Sequence, residues 1–349
     1  MKHSAARPSH PEEDEESVLE TRTFDAGNED HKVRVAPGIL LIVHAVLAVL
    51  LQVGWTLLPD GAMGLDKSSL QAFVVAAFLM QGVCILIPTL VIAFSYGIKP
   101  RMLLGRSLPR PGGILLAIAA GIPAAVLLTG LNNIAAYALA RSGFTFPMPA
   151  AVHSIPSEPQ AFALVVVMSV VIPGIVEELM FRGLMQGAME HTGARLSAVI
   201  LPALAFALFH ADPLFLLAPF GAGLLLGYLR ASTGSLFTAI VAHMTLNMTM
   251  LVMKPLLPQW RDALQASPTS FDSGSLLTLS IVASVIALIA CIPVLLAFSS
   301  SLYRKSTAPV RISGPQPTPR VFLEWRFFLG CLILAGFLFW FYSFSQSFT

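Results

Sequence analysis

Seven residues in three short motifs carry the chemistry that this chain can do. They are Glu177, Glu178 and Arg182, then Phe206 and His210, then His243 and Asn247. Each motif sets two residues four apart, a spacing that puts both side chains on one helix face, one turn from each other. Glu178 and Arg182 can therefore pair directly, whereas Glu177 points about 100° round the helix and is free for other work. His243 and Asn247 present an imidazole and an amide side by side, two groups able to converge on one oxygen. A glutamate held out of water suits a general base, so Glu177, helped by His210, can hold and deprotonate a water. His243 and Asn247 can then donate to the oxyanion formed when that water attacks an amide carbonyl, at about 3–4 kcal/mol per well-placed donor. The sequence offers no covalent nucleophile of a known pattern: no Gly-x-Ser-x-Gly, no Cys beside a His, and no His-Glu-x-x-His for zinc.

The elements that position these groups are membrane helices. The chain is 56% hydrophobic and 11% charged, against about 25% charged in a soluble domain, and its mean hydropathy is +0.76. Apolar runs long enough to span fall near 37–58, 69–95, 112–139, 160–190, 275–299 and 322–344, with three tighter ones near 194–211, 213–230 and 234–252. The expected fold is thus all-α, a polytopic bundle of eight or nine helices. The two shortest runs, either side of Asp212 and Pro213, are near the minimum length for a full span. Residues 1–34, with the acidic run Glu12 to Glu16, are expected to form a disordered cytosolic tail. Residues 35–158 carry the first three helices, 159–253 the core with the motifs, and 254–349 the last helices with a Pro-rich linker over 306–320.

Lysine and arginine set the orientation. The segments before the first run, between the second and third (Lys99, Arg101, Arg106, Arg110) and between the last two collect most of the cations. This places the N-terminus in the cytosol. Counted from the cytosolic ends, Glu177, His210, His243 and Asn247 all fall about 15–23 Å deep at 1.5 Å rise per residue. A charge at that depth costs about 3 kcal/mol even on lenient scales, so such residues usually face a cavity and act there. The reading predicts that Glu177 and His210 lie within direct or one-water hydrogen-bond reach, with His243 and Asn247 facing the same cavity.

Taken singly, each motif has a plainer explanation. The Glu–Arg pair can lock two helices, His210 can sit at a helix end, and Asn247 can be interhelical glue. His44 and His153 read as structural or loop residues, and Asn132 and Asn133 as packing groups. Trp55, Trp325 and Trp340 fit interfacial anchors. Cys84, Cys291 and Cys331 lack metal-ligand spacing and read as small hydrophobes. A zinc site built from Glu177, His210 and His243, a proton-coupled transporter, and a non-catalytic binding or immunity protein are the competing functions; a transporter would show an internal repeat, which is not seen.

Three such motifs in order on successive hydrophobic helices resemble the CPBP family, also called ABI, of glutamate intramembrane proteases that includes the CAAX prenyl endopeptidase. The resemblance covers about Ala161 to Met253. It implies a metal-independent endopeptidase with no cofactor, in which Glu177 and His210 activate water, His243 and Asn247 form the oxyanion hole, and Glu178, Arg182 and Phe206 support them. The implied partners are a membrane-delivered peptide or protein substrate and the lipid bilayer. No basic patch with interleaved aromatics suggests nucleic acid. The lack of an organelle-targeting presequence favours the plasma (cytoplasmic) membrane.

Overall fold

In the computed structural model the described residues are 11–105, 107, 111–141, 156–194, 196–210, 216–256, 273–306 and 324–346, and nearly all of them are helical. We number the helices α1 Pro11–Leu57, α2 Leu70–Ser95, α3 Pro100–Leu104, α4 Pro111–Arg141, α5 Pro159–His191, α6 Ser197–Phe209, α7 Leu217–Thr233, α8 Leu236–Leu256, α9 Ser273–Ser306 and α10 Trp325–Gln346. The protein is a polytopic helical membrane protein. Five stretches, Asp30–Leu57, Leu70–Ser95, Pro111–Ala135, Pro159–His191 and Leu236–Met253, are long and apolar enough to cross a bilayer. Ser197–Phe209, Leu277–Cys291 and Trp325–Trp340 are shorter apolar helices. At 13 residues, α6 rises only about 20 Å, short of a core about 30 Å thick.

Helix α1 starts at Pro11, within the segment that the sequence reads as an acidic tail. His153 and most of the Pro-rich linker lie outside the described residues. Large apolar side chains face outward along the bundle, among them Phe94, Ile289 and Phe339, as a lipid-facing surface requires. Trp325 and Trp340 are exposed as well, and the Arg326 guanidinium lies over the Trp325 ring at 4.6 Å.

Helix α5 is the axis on which the site is built. From Val176 to Met189 all but one of its residues are buried, and Met180, Phe181, Leu184, Met185 and Met189 have no exposed surface at all. Helices α1, α2, α6, α7 and α8 pack around it, while α9 lies along α4 and α10 along α1. Two glycines allow close approaches beside the motif residues. A Cβ at Gly174 would fall 2.6 Å from Met244 Cγ on α8, and one at Gly223 would fall 2.8 Å from the Cα of Ala203 on α6. A larger residue at Gly223 presses backbone on backbone, whereas one at Gly174 must displace the Met244 side chain.

Two prolines prepare the same region. A proline has no N–H to offer the carbonyl four residues earlier, so Pro88 deprives Cys84 O of its α-helical partner and Pro173 does the same to Ser169 O. The helix widens to π turns over Leu79–Leu86 and Val167–Val171, just ahead of each proline, a known response at functional sites. Both carbonyls are taken by side chains from other helices. His44 Nδ1 of α1 bonds Cys84 O at 2.9 Å, and Asn247 Nδ2 of α8 donates to Ser169 O at 3.2 Å.

Candidate active site

Helix spacing brings Glu178 and Arg182 together. Arg182 Nη1 donates to Glu178 Oε1 at 2.7 Å, and both side chains are fully buried. Arg182 also donates through Nη2 to Gly223 O at 3.2 Å and lies over the Phe206 ring at 4.5 Å from its centroid. A desolvated cation–π contact is worth about 2 kcal/mol, and a hydrogen bond to a charged group about 1.5–3 kcal/mol. The guanidinium is therefore held by α5, α6 and α7 at once.

The same Glu178 oxygen takes a second donor from α8. His243 Nδ1 lies 2.9 Å from Glu178 Oε1. An ionised carboxylate only accepts, so the proton of this bond sits on Nδ1 and the His243 Nε2 edge turns toward Glu177. The separation of His243 Nε2 from Glu177 Oε2 is 4.0 Å. Atoms so spaced are within reach of a single bridging water.

Glu177 is 4% exposed, and its two oxygens differ. Oε1 accepts from Gln81 Nε2 of α2 at 2.7 Å, whereas Oε2 is buried and has no hydrogen-bond partner among the described residues. An orphan carboxylate oxygen in such a place costs free energy unless a water or substrate donates to it.

His210 is exposed at the C-terminal end of α6. Its Nδ1 is 2.8 Å from Phe206 O, a carbonyl that can only accept, so Nε2 is the free nitrogen. Glu177 and His210 make no direct hydrogen bond; the imidazole beside Glu177 is that of His243. Phe206 joins the two histidines, with ring centroids 4.5 Å from His210 and 5.7 Å from His243. Asn247 is half-buried, one turn along α8 from His243, and spends one amide hydrogen on Ser169 O. Its second is uncommitted. Among the described residues no three His, Cys, Asp or Glu side chains group as ligands for one ion.

Glu177, Glu178, Arg182, Phe206, His210 and His243 thus form one connected cluster, and Asn247 stands beside it. Residues 159–249 match the family described as Type II CAAX prenyl endopeptidase Rce1-like. This segment is Rce1-like. No curated protein matches the chain. The Rce1-like segment runs from the start of α5 into α8 and holds all seven motif residues. The matching family implies a protease, a hydrolase, for which a lipid bilayer and a membrane-associated peptide are fitting surroundings.

Sequence reasoning missed two contributors outside this segment. Gln81 reaches Glu177 from a position 96 residues away in the chain. His44, read as structural, is buried on Cys84 O and lies 4.9 Å from Phe209, the ring that packs on His210. The available signal was an amide in the middle of an otherwise apolar run, followed seven residues later by proline.

Proposed function

We propose that this chain is a glutamate-type intramembrane endopeptidase that needs no metal and cuts membrane-delivered peptides or proteins. Prenylated CAAX proteins, the substrates that the family description names, are the first class to test. The observation that carries the reading is the buried Glu177 Oε2, without a partner and 4.0 Å from His243 Nε2. A water in that gap donates to Glu177 Oε2, with His210 Nε2 as a second acceptor from the open side. The water oxygen attacks the scissile carbonyl carbon while its proton passes to Glu177. Nε2 of His243, when it carries a proton, and the uncommitted hydrogen of Asn247 Nδ2 donate to the oxyanion. Glu177 then returns the proton to the leaving nitrogen as the C–N bond breaks, leaving a carboxyl group and an amine. Glu178 fixes the His243 ring through Nδ1, and Arg182 balances the Glu178 charge. The setting is a plasma (cytoplasmic) membrane with the N-terminus in the cytosol, as the lysine and arginine distribution supports.

The test is cleavage of a prenylated CAAX peptide in proteoliposomes by the wild type and by Glu177→Gln, with and without excess chelator. Glu177→Gln keeps the volume and removes the base. The expected result is a fall of about 10²–10⁴ in rate at unchanged thermal stability, with chelator having no effect on the wild type. Activity lost in chelator and restored by zinc would turn Glu177, His210 and His243 into ligands. An unchanged biological effect in Glu177→Gln would leave a binding or immunity role.

A further inference from the structure

The structure assigns Gln81 of α2 as the positioning residue of Glu177, an inference that rests on the proposed role of Glu177 as base. A glutamate carboxylate turns freely about its last bond, because that torsion is broad and two-fold, so either oxygen can face the gap beside His243. The Gln81 Nε2–H bond of 2.7 Å removes that freedom. With Oε1 pinned, Oε2 is the oxygen presented to His243 Nε2.

Gln81 is not satisfied as interhelical glue would be. Its own Oε1 is buried without a hydrogen-bond partner, as is Glu177 Oε2. A structural amide in an apolar setting is favoured when both its ends are paired; this one spends one amide hydrogen on the carboxylate and leaves its acceptor unmatched among the described residues. Its placement is also braced from a third helix. Gln81 sits in the π stretch Leu79–Leu86, and three residues on, Cys84 O is held by His44 Nδ1 of α1. The widened turn before Pro88 sets which face of α2 carries Gln81, and that face meets α5 at Glu177. Gln81 lies outside residues 159–249, so the base of the Rce1-like segment is aimed by a helix that is not part of it.

The experiment uses the full chain in proteoliposomes with the same prenylated peptide. Gln81→Met keeps length and volume and removes the donor; Gln81→Ala is the second variant, should methionine repack the site. The expected result is a fall in kcat of about 10–10², the cost of a small misplacement of a catalytic group, with KM unchanged and a lower melting temperature, because Glu177 Oε1 loses its buried donor. In a Glu177→Gln background, Gln81→Met should lower the residual rate no further, because a residue that acts through Glu177 has nothing left to position. Equal losses of rate per folded molecule in both backgrounds would make Gln81 a packing residue and overturn the assignment. A wild-type kcat in both Gln81 variants alongside an inactive Glu177→Gln overturns it alone. A wild-type rate in Glu177→Gln overturns the parent reading and this one with it.

Discussion

Helix α5 carries two glutamate–arginine pairs, and they are built for different ends. At the upper pair, Arg182 and Glu178 lie one turn apart on the same helix with essentially no solvent exposure. Two turns further along, Glu190 Oε2 accepts from Arg230 of α7 at 2.8 Å, and its side chain is 34% exposed. Gln186 donates to Glu190 Oε1 and to Gly227 O, and Arg230 donates to Met102 O of α3. This lower cluster spreads its bonds over three elements and closes one end of the bundle. The upper cluster concentrates them: one oxygen, Glu178 Oε1, receives both Arg182 and His243. A pair meant only to hold helices has no need of a neighbouring carboxylate with an unspent oxygen. Depth and an unmatched acceptor, more than the ion pair, separate a site from a clamp.

The largest stability effect expected is at the upper pair. Glu178→Gln leaves Arg182 buried without its counter-charge, and breaking a buried pair costs about 3–5 kcal/mol. The substitution also replaces the acceptor that orients His243. Thermal unfolding in detergent should show a clear loss, and single-turnover cleavage by the surviving folded fraction should be slower as well. A variant of unchanged stability would mean that Arg182 is neutralised elsewhere, and the contrast between the two clusters would lose its physical basis.

The next effect separates the two uses of Asn247. Asn247→Ala removes the proposed oxyanion donor, for an expected loss of about 10²–10³ in kcat, and strands Ser169 O, for about 1–3 kcal/mol of stability. These losses can be uncoupled. Pro173→Ala restores the N–H that Ser169 O lacks, so Asn247→Ala with Pro173→Ala should recover stability and leave the rate low. Recovery of both would reduce Asn247 to a brace for the π turn.

What was legible in the sequence was local. Spacing of four puts Glu178 beside Arg182 whatever the rest of the fold does, and the apolar runs declare the helices by their length. The contacts that turn these pieces into a site depend on the rotation and docking of helices distant in sequence. Glu177 and Gln81, and His44 and Cys84 O, meet where π turns shift the face of α2, and His243 meets Glu178 where Gly174 lets α8 approach α5 closely. No period reports those shifts. Shared depth fixes a layer but not an azimuth, so an expected reach of Glu177 to His210, direct or through one water, does not foretell that His243 Nε2 lies 4.0 Å from Glu177 Oε2.

The smallest effect expected is at the lower pair, and it sharpens the comparison most. Glu190→Gln removes the charge but keeps an oxygen for Arg230 and an amide in place of the second oxygen. The glutamate is one-third exposed, so water can replace part of what is lost, and Arg230, though buried, keeps Met102 O as an acceptor. The melting temperature should fall by less than in Glu178→Gln, and the rate per folded molecule should equal that of the wild type. Measuring both quantities for Glu190→Gln and Glu178→Gln side by side gives the test. Equal destabilisation would show that burial does not distinguish the clusters, whereas a slower rate at unchanged stability in Glu190→Gln would extend the active site two turns down α5, to the end that α3 closes.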